Sequence, residues 1–320
     1  MHHHRFRSIA HTLLVPLLLV GLACTVLSRG QAAASDPYQI RLPLVRTSTQ
    51  PASPGDPPEQ IALDRINSYR QLAGVQPVQP HGALTAAAEH HASYDLLNYG
   101  DQSAWSNGPH GEVAGKPGFT GQTAADRMAA TQFPFAPNAE VMNYFDDPIR
   151  SVDGWMSTVF HRIGILYPTS WYAGYGHGRN AVELVDVVDF GRGPSDLAVT
   201  PGVVVFPAPD QTDVPLYGAS ETPSPLPPGA QYPIGYPITL QPIAGANLAV
   251  TQAELRDADA RIAVYPNPPG CSSACYALIP TIGLRPSTMY CVHVAGSVDG
   301  APFDKTWSFT TSACLYPGVC

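Results

Sequence analysis

The sequence predicts an α+β domain followed by an all-β sandwich, and three observations carry that expectation. Between about residues 58 and 160, apolar side chains recur at helical spacing behind capping residues. Residues 181–190 (AVELVDVVDF) then form a β-branched run bounded by glycines, the pattern of a buried strand. Beyond Thr200 short apolar runs alternate with Pro and Gly turns and show no helical stripe. Helices followed by strands within one segment predict α+β layers.

Taken in order, Ala62, Ile66, Tyr69 and Ala73 share a helix face that stops at Gly74. A second helix is expected from Ala83 to Tyr99, closed by Gly100, with Leu84, Ala87, Ala88 and His91 on its buried stripe. Thr123-x-x-Asp126 has capping-box form and predicts a short third helix through Ala130. Asp147-Pro148 supplies a cap and a first-turn proline for a fourth, with Ile149, Val152, Met156 and Val159 on one face. The sandwich strands are expected at residues 203–206, 238–240, 262–264, 290–294 and 307–309.

Composition narrows the function. With 34 Pro and 28 Gly in 320 residues but 44% apolar and only 13% charged, the chain has material for a core and folds. A net charge of -8 with 17 Lys+Arg excludes a phosphate-tracking surface for nucleic acid or anionic lipid.

Arg5 and Arg7, an apolar run from Leu13 to Leu27 and Ala32-Ala33-Ala34 predict a cleaved signal peptide over residues 1–34. The run is shorter than the roughly 20 residues a membrane span needs. Lipidation at Cys24 ranks below simple secretion, because Gly21-Leu22-Ala23 lacks an aliphatic residue three places earlier. Residues 35–60 then form a linker with a Pro- and Ser-rich tether, and the mature chain is expected outside the cell with no membrane span. Cys271, Cys275, Cys291, Cys314 and Cys320 cluster at the C-terminal end, which predicts disulfides in an exported chain and leaves the pairing open. An odd number leaves one thiol free or paired between chains.

Seven segments in order resemble the CAP superfamily of cysteine-rich secretory, antigen 5 and pathogenesis-related proteins (SCP-like), in a bacterial form. They are Asn67-Ser68-Tyr69-Arg70, Leu84-x3-Ala88-x2-His91, Pro109-His110-Gly111, Gly118-Phe119-Thr120-Gly121 with Asp126-Arg127, Ala139-Glu140-Val141, Trp155-x5-His161-Arg162, and Gly174-Tyr175-Gly176 with Asp189-Phe190-Gly191. The resemblance implies an α-β-α sandwich over residues 61–193. Residues 194–312, with a Pro-rich entry, resemble bacterial Ig-like domains through Leu284-x-Pro286-x-Thr288-x-Tyr290, where the tyrosine hydroxyl is expected to tie a corner to the backbone. Residues 313–320 are a Cys-containing tail.

The resemblance also implies a cleft holding His110, Glu140 and His161, with His177 as a secondary rim candidate. Two imidazoles and a carboxylate suit a divalent ion such as Zn2+ with one open position, or proton transfer. The stretch Met156–Phe160, where the resemblance implies a second glutamate, has none. Read without the resemblance, His161 beside Arg162 would cap the C-terminal end of the fourth helix. His91 is expected to be packed, Trp155 to be core, and Asp186 and Asp189 to face solvent rather than bind calcium. The function expected first is a secreted, non-enzymatic protein binding a small apolar ligand or an extracellular partner. The alternatives are a metal-dependent hydrolase of peptide or envelope polymer, and an adhesive or spacer protein working through the Ig-like unit. Residues 35–270 contain no cysteine, and no Gly-x-Ser-x-Gly elbow is present.

Overall fold

The structure, a computed structural model, describes residues 57–145, 147–194, 202–243 and 245–314, all within one compact unit. The signal peptide, most of the linker, Cys24 and Cys320 lie outside the described residues. Helix α1 (Pro58–Leu72) starts on prolines, whose missing N–H is not needed in a first turn, and stops at Gly74, which takes a left-handed φ of 70°. Helix α2 (Gly82–Leu97) is capped by His81 and buries Leu84, Ala87, Ala88 and His91. The capping box of Thr123 and Asp126 is formed in full ahead of α3 (Ala124–Ala130).

Helix α4 (Pro148–Met156) accepts its cap from Asp147, whose carboxylate takes the Arg150 N–H at 2.9 Å. Two expectations are corrected here. Ile149 is 40% exposed, because the helix runs for only nine residues and its first turn reaches past the core. The chain then turns and restarts as α5 (Phe160–Ile165), so His161 and Arg162 open a helix instead of ending one.

Strands β1 (Gln79–Pro80), β2 (Pro137–Asn143), β3 (Ser170–Arg179) and β4 (Leu184–Arg192) form one sheet in the order β1-β3-β4-β2. Only the β1–β3 pair is parallel. Val185 and Val187 bury against Ala88 and Ala92 of α2, while Val188 and Phe190 bury among Ala62, Ile66, Val152 and Trp155 of α1 and α4. Helices therefore cover both faces, an α-β-α layering. The glycines of β3 explain themselves sterically: a Cβ at Gly176 would stand 2.2 Å from the Ala88 backbone, so α2 approaches only a bare strand.

The later residues form β strands throughout. β5 (Val203–Phe206), β6 (Gln211–Val214), β7 (Tyr217–Gly218), β8 (Ile234–Gly235), β9 (Ile238–Pro242), β10 (Leu248–Arg256), β11 (Val264–Tyr265), β12 (Tyr276–Pro280), β13 (Met289–Val298) and β14 (Ala301–Thr311) follow in order. They make two four-stranded sheets, β10-β13-β14-β6 and β11-β12-β9-β5, and a β7-β8 pair. Phe206, Ile238 and Leu240 of one sheet share a core with Val292, Trp307 and Phe309 of the other. The Arg285 N–H donates to Tyr290 Oη at 2.9 Å, the corner tie the sequence predicts.

The apolar core does not stop between the helical and β parts. Arg162, fully buried, lies 4.4 Å from the Tyr236 ring centroid and 5.2 Å from that of Phe206, and donates to the carbonyls of Met156 and Pro237. Tyr236 Oη donates to Met156 O at 2.9 Å, and Gln241 Nε2 to Leu166 O at 2.8 Å. These contacts hold the start of α5 rigidly against the β part.

Candidate functional site

A cleft of about 570 Å³ opens beside β2, the edge strand of the first sheet. It is lined by Pro109 and His110 from the loop after α2, by Met142 to Phe145, and by Gly154, Trp155, Thr158 and His161. Ala219, Ser220, Glu221 and Thr222, which follow β7, close the remaining side. Tyr144 and Phe145 are large and exposed at its edge, and Trp155 is buried in its wall.

His110 and Glu140 meet: the His110 Nδ1–H donates to Glu140 Oε1 at 2.8 Å. Beneath them lies a charge network that the sequence reading missed. Arg127, fully buried, donates to Glu140 Oε2 at 2.6 Å and to the His110 carbonyl at 3.2 Å. Glu112, also fully buried, accepts the Thr120 N–H at 2.6 Å and the Gly121 N–H at 3.2 Å. His91 is packed as expected, with Nδ1 3.1 Å from Glu112 Oε1 and Nε2 2.9 Å from Pro109 O.

Burial would raise the Glu140 carboxyl, but the His110 hydrogen bond and the charges of His91 and Arg127 outweigh it and hold it low. Glu112 is likewise held low against its burial, by the His91 bond, the backbone donors and Arg127. Asp189 stands opposite Glu140 across the β2–β4 pair and is pushed well above the carboxylate range, first by burial and then by the Glu140 charge.

His161 lines the same cleft. Its Nδ1 is 3.0 Å from Glu221 Oε2 and 3.1 Å from Thr158 Oγ1. A carboxylate does stand at this end of the cleft, but it comes from the β part. Glu221 is the only charged residue between Asp213 and Glu254, and that isolation in a Pro-rich stretch was its one sequence signal.

The remaining expectations separate from the cleft. His177 is not among the lining residues; it sits on β3 with Nδ1 2.6 Å from Asp186 Oδ1. Asp186 and Asp189 are both fully buried, which corrects the solvent-facing reading: Asp186 accepts from Tyr175, His177 and Ser151, because helices cover both faces of β4. Cys271 and Cys275 form a disulfide packed beneath Val159 and Phe160, and Cys291 and Cys314 are each disulfide-bonded.

The residues do not fit one metal ion. Both Glu140 oxygens are engaged by His110 and Arg127, and His161 pairs instead with Glu221. Among the described residues no group of three or more His, Cys, Asp or Glu side chains could hold a metal. What the site offers chemically is an aromatic cleft with two imidazoles, each tied at Nδ1 to a buried carboxylate.

Residues 63–185 match the family described as CAP: Cysteine-rich secretory protein family. The chain therefore carries a CAP domain. No curated protein matches it. Among solved structures it is similar to an extracellular protein containing an SCP domain from Bacillus anthracis str. Ames, at 19% identity and a TM-score of 0.33, over 44% of this chain and 45% of that one. The likeness thus spans less than half of either chain. No helix among the described residues is long and apolar enough to cross a membrane.

Proposed function

We propose that this is a secreted binding protein whose cleft takes a small apolar ligand, and that it is not an enzyme. The observation that carries the reading is the cleft lining: Met142, Tyr144, Phe145 and Trp155 supply apolar and aromatic surface, with His110 and His161 as the convergent polar groups. Small-molecule sites have this composition. Binding ranks ahead of metal-dependent hydrolysis because Glu140, the expected base or ligand, is already neutralised by Arg127. Secretion is supported by the leader-like segment ending at Ala34 and by the disulfides. The β sheets are read as an Ig-like unit, which the Tyr290 corner supports.

Organic extraction of the full chain purified from culture medium, followed by mass spectrometry, is expected to release an apolar molecule. Titration with 2-naphthol is expected to quench emission that a Trp155→Phe variant lacks. An empty extract together with unchanged emission overturns the reading.

A further inference from the structure

Glu221 is 1% exposed at its side chain, although it belongs to a segment between two short strands of the β part. Its carboxylate accepts the N–H of Val159 at 2.7 Å and of Phe160 at 3.0 Å and reaches that of His161 at 3.3 Å, so it is anchored before it meets any imidazole. The neighbouring Ala219 N–H donates to Ser157 O at 2.8 Å, which holds the segment along the cleft wall.

The partners of His161 Nδ1 then decide its tautomer. Thr158 Oγ1 donates its own hydrogen to Trp155 O at 2.8 Å and can only accept from the ring. Glu221 Oε2 is an acceptor as well. With acceptors on both sides, Nδ1 must carry the proton, and in the neutral ring Nε2 is then an acceptor. No hydrogen bond or ion pair among the described residues uses that nitrogen. His110 is held the same way by Glu140.

We propose that Glu221 is a positioning residue of the cleft, supplied by the β part, which fixes His161 with Nδ1–H on the carboxylate and Nε2 as acceptor, so that the site selects apolar ligands bearing a hydroxyl or similar donor. This rests on the apolar-ligand reading for its selectivity, while the assignment of Glu221 to His161 stands on the geometry alone. The CAP cleft is then a composite site that the β part completes.

Two measurements on the full chain test it. Nitrogen-15 spectra of the histidine rings are expected to show His161 as the Nδ1–H tautomer, and Glu221→Gln, which preserves size but offers Nδ1 at best an uncharged acceptor, is expected to shift the His161 Nδ1 resonance even where Thr158 keeps the proton there. A wild-type Nε2–H ring, or a pattern indifferent to the substitution, overturns the assignment. Calorimetric titration is expected to give at least tenfold tighter binding of 2-naphthol than of 2-methoxynaphthalene, falling below threefold in Glu221→Gln with methoxynaphthalene affinity retained. Equal affinities in the wild type, or full discrimination in the variant, overturn the selectivity. If neither probe binds, the apolar-ligand reading fails with the selectivity, and the ring spectra still decide the role of Glu221.

Discussion

Glu140 and Asp189 stand directly opposite each other in adjacent antiparallel strands, both with buried side chains, and Glu140 has a counter-charge in Arg127 at 2.6 Å. Glu140 is accordingly held low, while Asp189 is pushed well above the carboxylate range, first by burial and then by the Glu140 charge. Glu140→Gln leaves Arg127 with only Glu112 at 3.7 Å and is expected to lower stability by about 3 kcal/mol in urea unfolding. Because the folded Glu140 titrates below its unfolded value, that contribution is present above about pH 4.3 and lost on acidification. A Glu140→Gln protein as stable as wild type at pH 7 would contradict the charge network.

Asp95 predicts the opposite pH dependence. Its carboxyl is fully buried and is pushed up to about 7 by burial and then by Glu183, with His91 and the Tyr144 hydroxyl opposing. A raised carboxyl stabilises the fold most below its unfolded value, and that contribution fades as pH rises through about 7. Asp95→Asn is expected to raise the melting temperature by roughly 3 °C at pH 8 and to change it little at pH 4. Equal shifts at both pH values would rule out titration of this group.

Arg162 joins the helical and β parts through two rings and two carbonyls. Arg162→Ala opens a cavity and strands those carbonyls, with an expected loss of about 3 kcal/mol. Calorimetry is expected to show one transition in the wild type and a broadened or split one in the variant. A single unshifted transition in both would show that the shared core does not couple the parts.

Gly176→Ala tests the closeness of α2 to β3. With a Cβ 2.2 Å from backbone, something must move, and destabilisation of about 3 kcal/mol is expected from chemical denaturation. At Gly82, where nothing lies within 4 Å, the same substitution is expected to be neutral or mildly stabilising.

The helices were legible because their signals are local. Gly74, Thr123 with Asp126, and Asp147-Pro148 act on their own turns, and the stripe of Leu84, Ala87, Ala88 and His91 needed only helical spacing. Strand β3 escaped because its glycines answer to α2 packing against it, which is not visible in SWYAGYGHGR. Asp186 looked solvent-facing because the hydroxyls of Ser151 and Tyr175 that compensate its burial come from elsewhere in the chain.

The cleft divides in the same way. The resemblance carried by seven short segments grouped His110, Glu140 and His161, and the residue patterns alone predicted an α+β unit followed by strands. The tertiary structure decided that Arg127 occupies Glu140, that His161 opens a helix, and that Glu221 reaches it from 60 residues away. The reason is that caps and stripes depend on neighbours within a turn, whereas the state of a buried charge depends on every polar group that folding brings within a few ångströms of it.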